Sequence, residues 1–318
     1  MITPSGRSST DLLSEIRQHV DRYHAVNMTD QAFDLSHEAF ERSSDQQTQI
    51  RQSLTQIVSK AIEQVVGEES RDTEGRQQPK SIFSVGCGSG ILDLPLLAAM
   101  HTRQIRQQPP TRVRYVGLEP NPVAANRFQQ DFASLDQTHT KLKMLVQPVE
   151  QLRTDERFDL VHVVHAVYYF KDPAATLHQL RRLLKPGGRL VIYQAPKGDL
   201  NHLSDCFWEK RGDREIWYSD QVHNYLQRQN ISFARERIDA EVDVTECFKM
   251  QSEAGRHIVN FILQRQCNDM SETLRRLVLQ YLRSIGTANA DRFKAAHPVD
   301  VYTIETQPAD QNTTTPQL

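Results

Sequence analysis

Three glycines at alternate positions, Gly86, Gly88 and Gly90, interrupt an apolar run in SIFSVGCGSGI and are followed by the helix-compatible segment ILDLPLLAAM. Strand, tight turn and helix in that order bring the free N–H groups of a helix start close to a ligand, because glycine adopts the required dihedrals and has no side chain in the way. The dinucleotide fingerprint G-x-G-x-x-G places its third glycine one residue later, where this chain has Ile91, which disfavours the pyrophosphate cradle of a nicotinamide-dependent oxidoreductase. Glu119 ends the next apolar run within YVGLEPNP, 29 residues beyond Gly90, where a carboxylate can accept hydrogen bonds from both hydroxyls of a ribose; Asn121 follows in the same LEPNP. Gln147 to Glu150 follow the third run and are expected beside the base of such a nucleoside. The fourth run closes in HVVHAVYYFKD, which places Val164, His165, Tyr168 and Tyr169 at the reactive end of the ligand. Two adjacent tyrosines cannot both point into one core, so a pocket wall is expected here. His162 and His165 lie three residues apart, yet no third ligand is in reach by sequence, so no metal is expected and His162 reads as a core histidine.

Elements that could position these residues alternate through the middle of the chain. Short apolar runs at IFSVG, Arg114 to Pro120, Leu142 to Gln147, Asp159 to Val164 and Arg189 to Ala195 are separated by helical patterns, which predicts parallel strands joined by crossover helices. The helix Pro173 to Leu184 ends in LLKPGGRL, where Pro186, Gly187 and Gly188 supply a stop and a turn. Before the strands, helices are predicted over Thr10 to Ala25 and Gln46 to Val66, with Phe33, Leu35 and Phe40 in a less regular linker. After them come a helical region over Leu200 to Gln229, one strand over ISFARERIDAEVDV, a helical region over Glu253 to Ile285 and a last strand at Val299 to Glu305. The expected organisation is a helical cap over residues 1–75, an α/β domain over 76–306 with helical insertions at about 198–229 and 250–297, and a disordered polar tail over 307–318.

The chain has 318 residues, a formal net charge of -2 and four scattered cysteines without a C-x-x-C pair. That balance offers no global attraction to nucleic acid or to an anionic membrane, and a small-molecule partner fits better. The basic stretch RQIRQQPPTRVR lacks interleaved aromatics and reads as a solvated loop. Neither a secretory leader nor an apolar run of spanning length is expected, and the cysteine usage points to a reducing, cytoplasmic setting; the expected state is a monomer.

SVGCGSGILDL, LEPNP, FDLVHVVHAVYYFKDPAATLHQLRRLL, CFWEKRG, WYSDQV, and VTECF followed by GRHIVNFIL together resemble the histamine N-methyltransferase family within the class I S-adenosyl-L-methionine (SAM)-dependent methyltransferases. The resemblance runs from about Asp34 to Glu305. It implies a Rossmann-like α/β fold with a seven-stranded, mostly parallel sheet, a helical N-terminal cap and helical insertions, and SAM as cofactor. By position it implies that Gly86, Glu119 and Val164 contact SAM, and Gly88, Gly90, Asn121, Gln147 and Glu150 are expected to complete the cofactor site from their places in the loops above. Tyr168, Tyr169, Trp208 and Phe261 would then enclose the acceptor, and Asp45 in RSSDQQ would meet its ammonium group. Ser84 stands where most class I enzymes carry an acid, and His165 and His297 stand where histamine-methylating relatives carry amides. Histidines there favour an acceptor bearing a carboxylate, such as histidine or a histidine dipeptide. The expected reaction is transfer of a methyl group to a nitrogen of a small imidazole or amine compound, dominated by positioning and exclusion of water, with Tyr168, Tyr169 and His165 at the reacting atoms. An O- or S-methyltransferase of another metabolite, or an inactive SAM-binding regulatory protein, are the alternatives.

Overall fold

KSIFSV, at Lys80–Val85, is buried along almost its whole length, as an interior strand covered on both faces requires. In the computed structural model, the described residues are 7–20, 27–63, 78–104, 111–208, 216–268, 270–289 and 291–306. The helices are α1 (Ser9–Val20), α2 (Asp30–Ser43), α3 (Gln46–Glu63), α4 (Asp93–Gln104), α5 (Pro122–Ala133), α6 (Pro173–Arg182), α7 (Asp199–Trp208), α8 (Ser219–Arg228), α9 (Glu253–Leu263) and α10 (Glu272–Ile285). The strands are β1 (Lys80–Val85), β2 (Val113–Leu118), β3 (Thr140–Leu145), β4 (Phe158–Val164), β5 (Leu184–Gln194), β6 (Ala234–Ile238), β7 (Glu241–Asp243), β8 (Gly286–Asn289), β9 (Arg292–Ala296) and β10 (Val299–Glu305). None of the helices described is long and apolar enough to cross a membrane.

The chain divides into two units. The larger takes residues 50–194, 216–237 and the chain from Asp300, and holds a seven-stranded sheet in the order β3-β2-β1-β4-β5-β10-β6. The neighbours β3, β2, β1, β4 and β5 pair in parallel, and β10 returns antiparallel to β5. This is the Rossmann-like α/β architecture that the alternation predicts, and the strand order reverses beside β1, where open sheets of this kind bind ligands. The core includes Phe83 stacked on Phe158 at 4.8 Å between ring centres, with Val116, Val161, Leu180 and Tyr302. Asp300 at the start of β10 is fully buried, accepts a hydrogen bond from Ser219, and pairs with Arg235 at 2.8 Å and Arg237 at 2.9 Å.

The smaller unit takes the chain up to Gln49 together with residues 195–215 and 238–299. Its core gathers Leu12, Ile16 and Val20 of α1 with Leu274, Leu277, Val278 and Tyr281 of α10, and it carries a three-stranded sheet in the order β7-β9-β8. The expected cap therefore does not stand apart as one body. α1, α2 and the start of α3 group with later segments, while Ile50, Leu54 and Val58 of α3 belong with the larger sheet. α8, expected within an insertion, also belongs to the larger unit.

Four local expectations need correction. The segment around Phe33 and Phe40 is a regular helix, α2, capped by Thr29, whose hydroxyl accepts from the Ala32 N–H at 3.2 Å. ISFARERIDAEVDV is not one strand: it turns after Ile238, sending β6 to the large sheet and β7 to the small one. The helical stretch from Glu253 breaks at Gln264, which adopts a left-handed conformation at φ 53°, and Ser271 caps the second helix. The expected 250–297 insertion also ends in strands, since β8 and β9 form an antiparallel pair. The ends of the predicted helices at Ala25 and Val66, and the tail after Thr306, lie outside the described residues.

Candidate active site

The glycine turn leaves β1 and enters α4 under a dense set of backbone hydrogen bonds. Gly86 and Cys87 donate to the Leu118 carbonyl at 2.8 and 3.2 Å, Gly90 to Cys87 at 3.0 Å, and Leu94 to Gly90 at 2.7 Å. The three glycines all have positive φ, but for different surroundings. A Cβ on Gly90 would lie 2.5 Å from the Phe128 ring, and one on Gly86 would lie 2.6 Å from the Ala166 Cβ, which packs the turn against the end of β4. A Cβ on Gly88 would meet nothing within 4 Å. The turn is thus backed by protein at its two ends and open at its middle, which is the shape needed for a ligand to approach the backbone.

Glu119 stands at this opening, just past β2. Its carboxylate accepts from the Gly88 N–H and from the Asn121 N–H, each at 2.9 Å, so one oxygen holds the glycine turn and the other the entrance to α5. Each oxygen keeps a further lone-pair direction for a ribose hydroxyl. Asn121 is the N-cap of α5: its side-chain oxygen accepts from Val123 at 2.9 Å and Ala124 at 3.4 Å, with Pro122 next in the first turn. The structure thus gives Asn121 a capping role beside the site. Gln147 is half-buried after β3, and the Glu150 carboxylate accepts from the Lys171 N–H at 2.7 Å, tying the loops after β3 and β4 together. These residues have the chemistry SAM needs: an open glycine backbone, a carboxylate with lone pairs to accept from hydroxyls, and further polar groups lie in order along the carboxyl edge of the sheet.

At the end of β4, Val164 is followed by His165 in a left-handed conformation at φ 49°, its N–H donating to the Tyr193 carbonyl at 2.9 Å. That single residue turns the chain into a 3-10 turn at Val167–Tyr169. The His165 and Tyr168 rings lie nearly parallel, 6.2 Å apart and 6° between planes. Tyr169 and Tyr218 meet Tyr168 edge-on at 6.3 and 5.8 Å. Tyr169 is 63% exposed, so the expectation that the two tyrosines do not share a core holds. Tyr218, within the WYSDQV segment, joins this aromatic group although no spacing in the sequence singles it out.

The remaining expected site residues lie in the smaller unit. Phe261 packs on Phe33, His37 and Phe40 at 5.8, 5.1 and 4.7 Å between ring centres, and His297 meets Phe40 edge-on at 4.9 Å. The His297 Nδ1 is 3.0 Å from the Ser44 hydroxyl, and Gln46 donates to the His297 carbonyl at 2.6 Å. Asp45 is exposed at the start of α3; its oxygens accept from the Glu241 N–H at 2.8 Å and from Gln49 Nε2 at 3.0 Å. Trp208 closes α7.

Beneath the glycine turn lies a group the sequence did not assemble. Tyr115 of β2 is 2.5 Å from Asp93 Oδ1 and 2.9 Å from His162 Nε2. Burial pushes the Tyr115 phenol well above its ordinary value, with Asp93 adding to the effect, and burial lowers the His162 imidazole below its own. Cys87, in the turn, is likewise pushed up by burial and then by Asp93 and Glu119, so it stays a thiol.

Comparison with known proteins agrees with this geometry. A family model described as a methyltransferase domain matches residues 47–244, more than half of the chain. Histamine N-methyltransferase of Danio rerio is 22% identical over 224 residues, covering 64% of this chain and 73% of that protein. The Xenopus tropicalis histamine N-methyltransferase is 24% identical over 204 residues, covering 58% of this chain and 65%, just under two thirds, of that protein. The crystal structure of the YcgJ protein from Bacillus subtilis aligns with 72% of this chain and 92% of its own at 13% identity and a TM-score of 0.48. With the glycine turn, Glu119 and the reversal of strand order in place, the chain belongs to the methyltransferase domain family and is a SAM-dependent methyltransferase of class I.

Proposed function

We propose that this protein transfers the SAM methyl group to a nitrogen of a small imidazole or amine compound of histamine-, histidine- or histidine-dipeptide type. The observation that carries the reading is the aromatic wall of His165, Tyr168, Tyr169 and Tyr218 at the end of β4, on a chain whose curated relatives include histamine N-methyltransferases. SAM supplies an electrophilic methyl carbon on a sulfonium. Gly88 and Glu119 hold the donor at the sheet edge, and Val164 lines its far end. The faces of Tyr168 and Tyr169 offer about 0.5–2 kcal/mol of cation–π attraction each to a cationic centre and exclude water from the acceptor nitrogen. A neutral imidazole nitrogen already presents its lone pair, so no strong base is required; His165 orients the acceptor, and attack proceeds in line once the atoms are about 3–3.5 Å apart.

Labelled-methyl transfer from SAM to histamine, histidine, histidine dipeptides and simple amines, with product mass spectrometry, tests the proposal. Replacing Tyr168 and Tyr169 together by leucine is expected to lower turnover much more than SAM affinity; unchanged turnover with the true acceptor refutes the wall assignment. The acceptor roles carried over for Asp45, Trp208, Phe261 and His297 are tested in the same assay by their effect on acceptor KM. Transfer to an oxygen or sulfur acceptor alone, or SAM binding without any transfer, refutes the proposed reaction.

A further inference from the structure

The polar group beneath the glycine turn takes part in no step of methyl transfer, yet its members come from three elements around β1. Tyr115 belongs to β2 and pairs in register with Ile82; His162 belongs to β4 and pairs with Ser84. Both side chains reach the same face of β1, where Asp93 descends from the first residue of α4. Tyr115, His162 and Asp93 are 0%, 1% and 3% exposed. The phenol donates to Asp93 Oδ1, so its oxygen accepts from an Nε2–H of His162, which fixes the imidazole tautomer and leaves Nδ1 as a bare acceptor. That Nδ1 is buried and has no hydrogen-bond partner among the described residues. Apolar residues of similar volume would cost the core nothing and avoid desolvating a carboxylate, so the group's value lies in geometry. Its geometric effect is specific: the glycine turn connects β1 to α4, and Asp93 pins the α4 end of that turn to the two strands flanking the β1 end.

We propose that the Asp93–Tyr115–His162 chain is a positioning device for the cofactor, holding the glycine turn from beneath in the form that binds SAM. The titratable groups facing His162 are Asp93 from α4 and Tyr115 from β2, with the Cys87 thiol of the turn near enough to act on Tyr115; β1 and β5 present Ser84 and Val191 in register with it. A proton on Nδ1 would have no acceptor there, so acidification loosens the chain of hydrogen bonds and, through Asp93, the turn. Cofactor affinity therefore falls as pH falls.

The test is calorimetric titration of the full chain with S-adenosylhomocysteine, stepping down from about pH 7.5 to well below an ordinary imidazole of about 6.5 because burial lowers His162, alongside thermal unfolding. Tyr115→Phe removes the link and is expected to raise Kd about tenfold, the equivalent of one net hydrogen bond. His162→Gln keeps a side-chain N–H but cannot be protonated as an imidazole is; it is expected to bind within about threefold of the parent at pH 7.5 and to lose the parent's weakening at the acid end of the series. His162→Leu is expected to bind poorly throughout the series. If Tyr115→Phe and His162→Leu bind as the parent does and only melt earlier, the chain merely packs the core and the proposal fails. Should His162→Leu not fold, the glutamine variant decides, because a pH dependence identical to the parent's overturns the assignment.

Discussion

Alanine substitutions at Gly88 and Gly90 separate ligand recognition from folding within a single turn. Both residues have positive φ, 55° and 79°, so an alanine at either costs about 1–2 kcal/mol of backbone energy. At Gly90 the added Cβ also falls 2.5–2.9 Å from three atoms of the Phe128 ring, a fully buried side chain of α5. Overpacking of that kind costs about 1–3 kcal/mol more. Gly90→Ala is thus destabilised by about 2–5 kcal/mol, which at about 2–4 °C per kcal/mol lowers Tm by roughly 4–20 °C. Gly88→Ala meets no protein atom within 4 Å, so its loss of stability is the backbone cost alone, roughly 2–8 °C. Its methyl group instead projects into the open space beside the turn that the proposed reading gives to the cofactor. Thermal unfolding of the free variants, followed by calorimetry with S-adenosylhomocysteine, reads the two effects apart. Gly88→Ala should lose most of the ligand affinity and the ligand-induced rise in Tm, while Gly90→Ala should be the less stable of the pair without ligand. Wild-type affinity in Gly88→Ala, or equal melting of the two variants, refutes the claim that the turn is open at its middle and backed at its end.

Glu119→Gln should weaken S-adenosylhomocysteine binding about ten- to hundredfold in calorimetry, since one or two charge-assisted hydrogen bonds to the ribose are lost at about 1.5 kcal/mol each. Asp300→Asn should cost about 3 kcal/mol in denaturant unfolding, the lower end for removing one partner of a buried ion pair, because both guanidinium groups reach solvent. Burial alone would raise the Asp300 carboxyl, but Arg237, Ser219 and Arg235 outweigh it and hold the group below its ordinary value. A carboxyl depressed in the folded state stabilises fully above its unfolded pKa, about 3.9, and loses that contribution as pH falls through the lower folded value. The acid-unfolding curve of Asp300→Asn should therefore lack that part of the parent's loss of stability below about pH 4.

The features readable from the chain are those that depend on near neighbours in sequence. β1, the glycine turn and α4 are contiguous, and Glu119 ends its strand in an uninterrupted apolar context, so periodicity and spacing place them. α2 was hidden because the positions between Phe33 and Phe40 on its inner face are Ser36 and His37; Ser36 is fully buried and satisfied by His257, which no apolar rhythm announces. β7, β8 and β9 have three to five residues each, of which only Val242 and Ala295 are buried, too short and too polar to show alternation. The Asp93–Tyr115–His162 chain fails to show for a different reason. Alternation says that Tyr115 and His162 each face one side of a sheet, but not that β2 and β4 flank β1, nor which residues stand level across it. Strand order and register are properties of the assembled sheet, and both must be known before a tyrosine and a histidine 47 positions apart can be set over the same aspartate. The ligand-binding turn is therefore visible in the sequence, while the support that holds it in shape emerges only once the strands are paired.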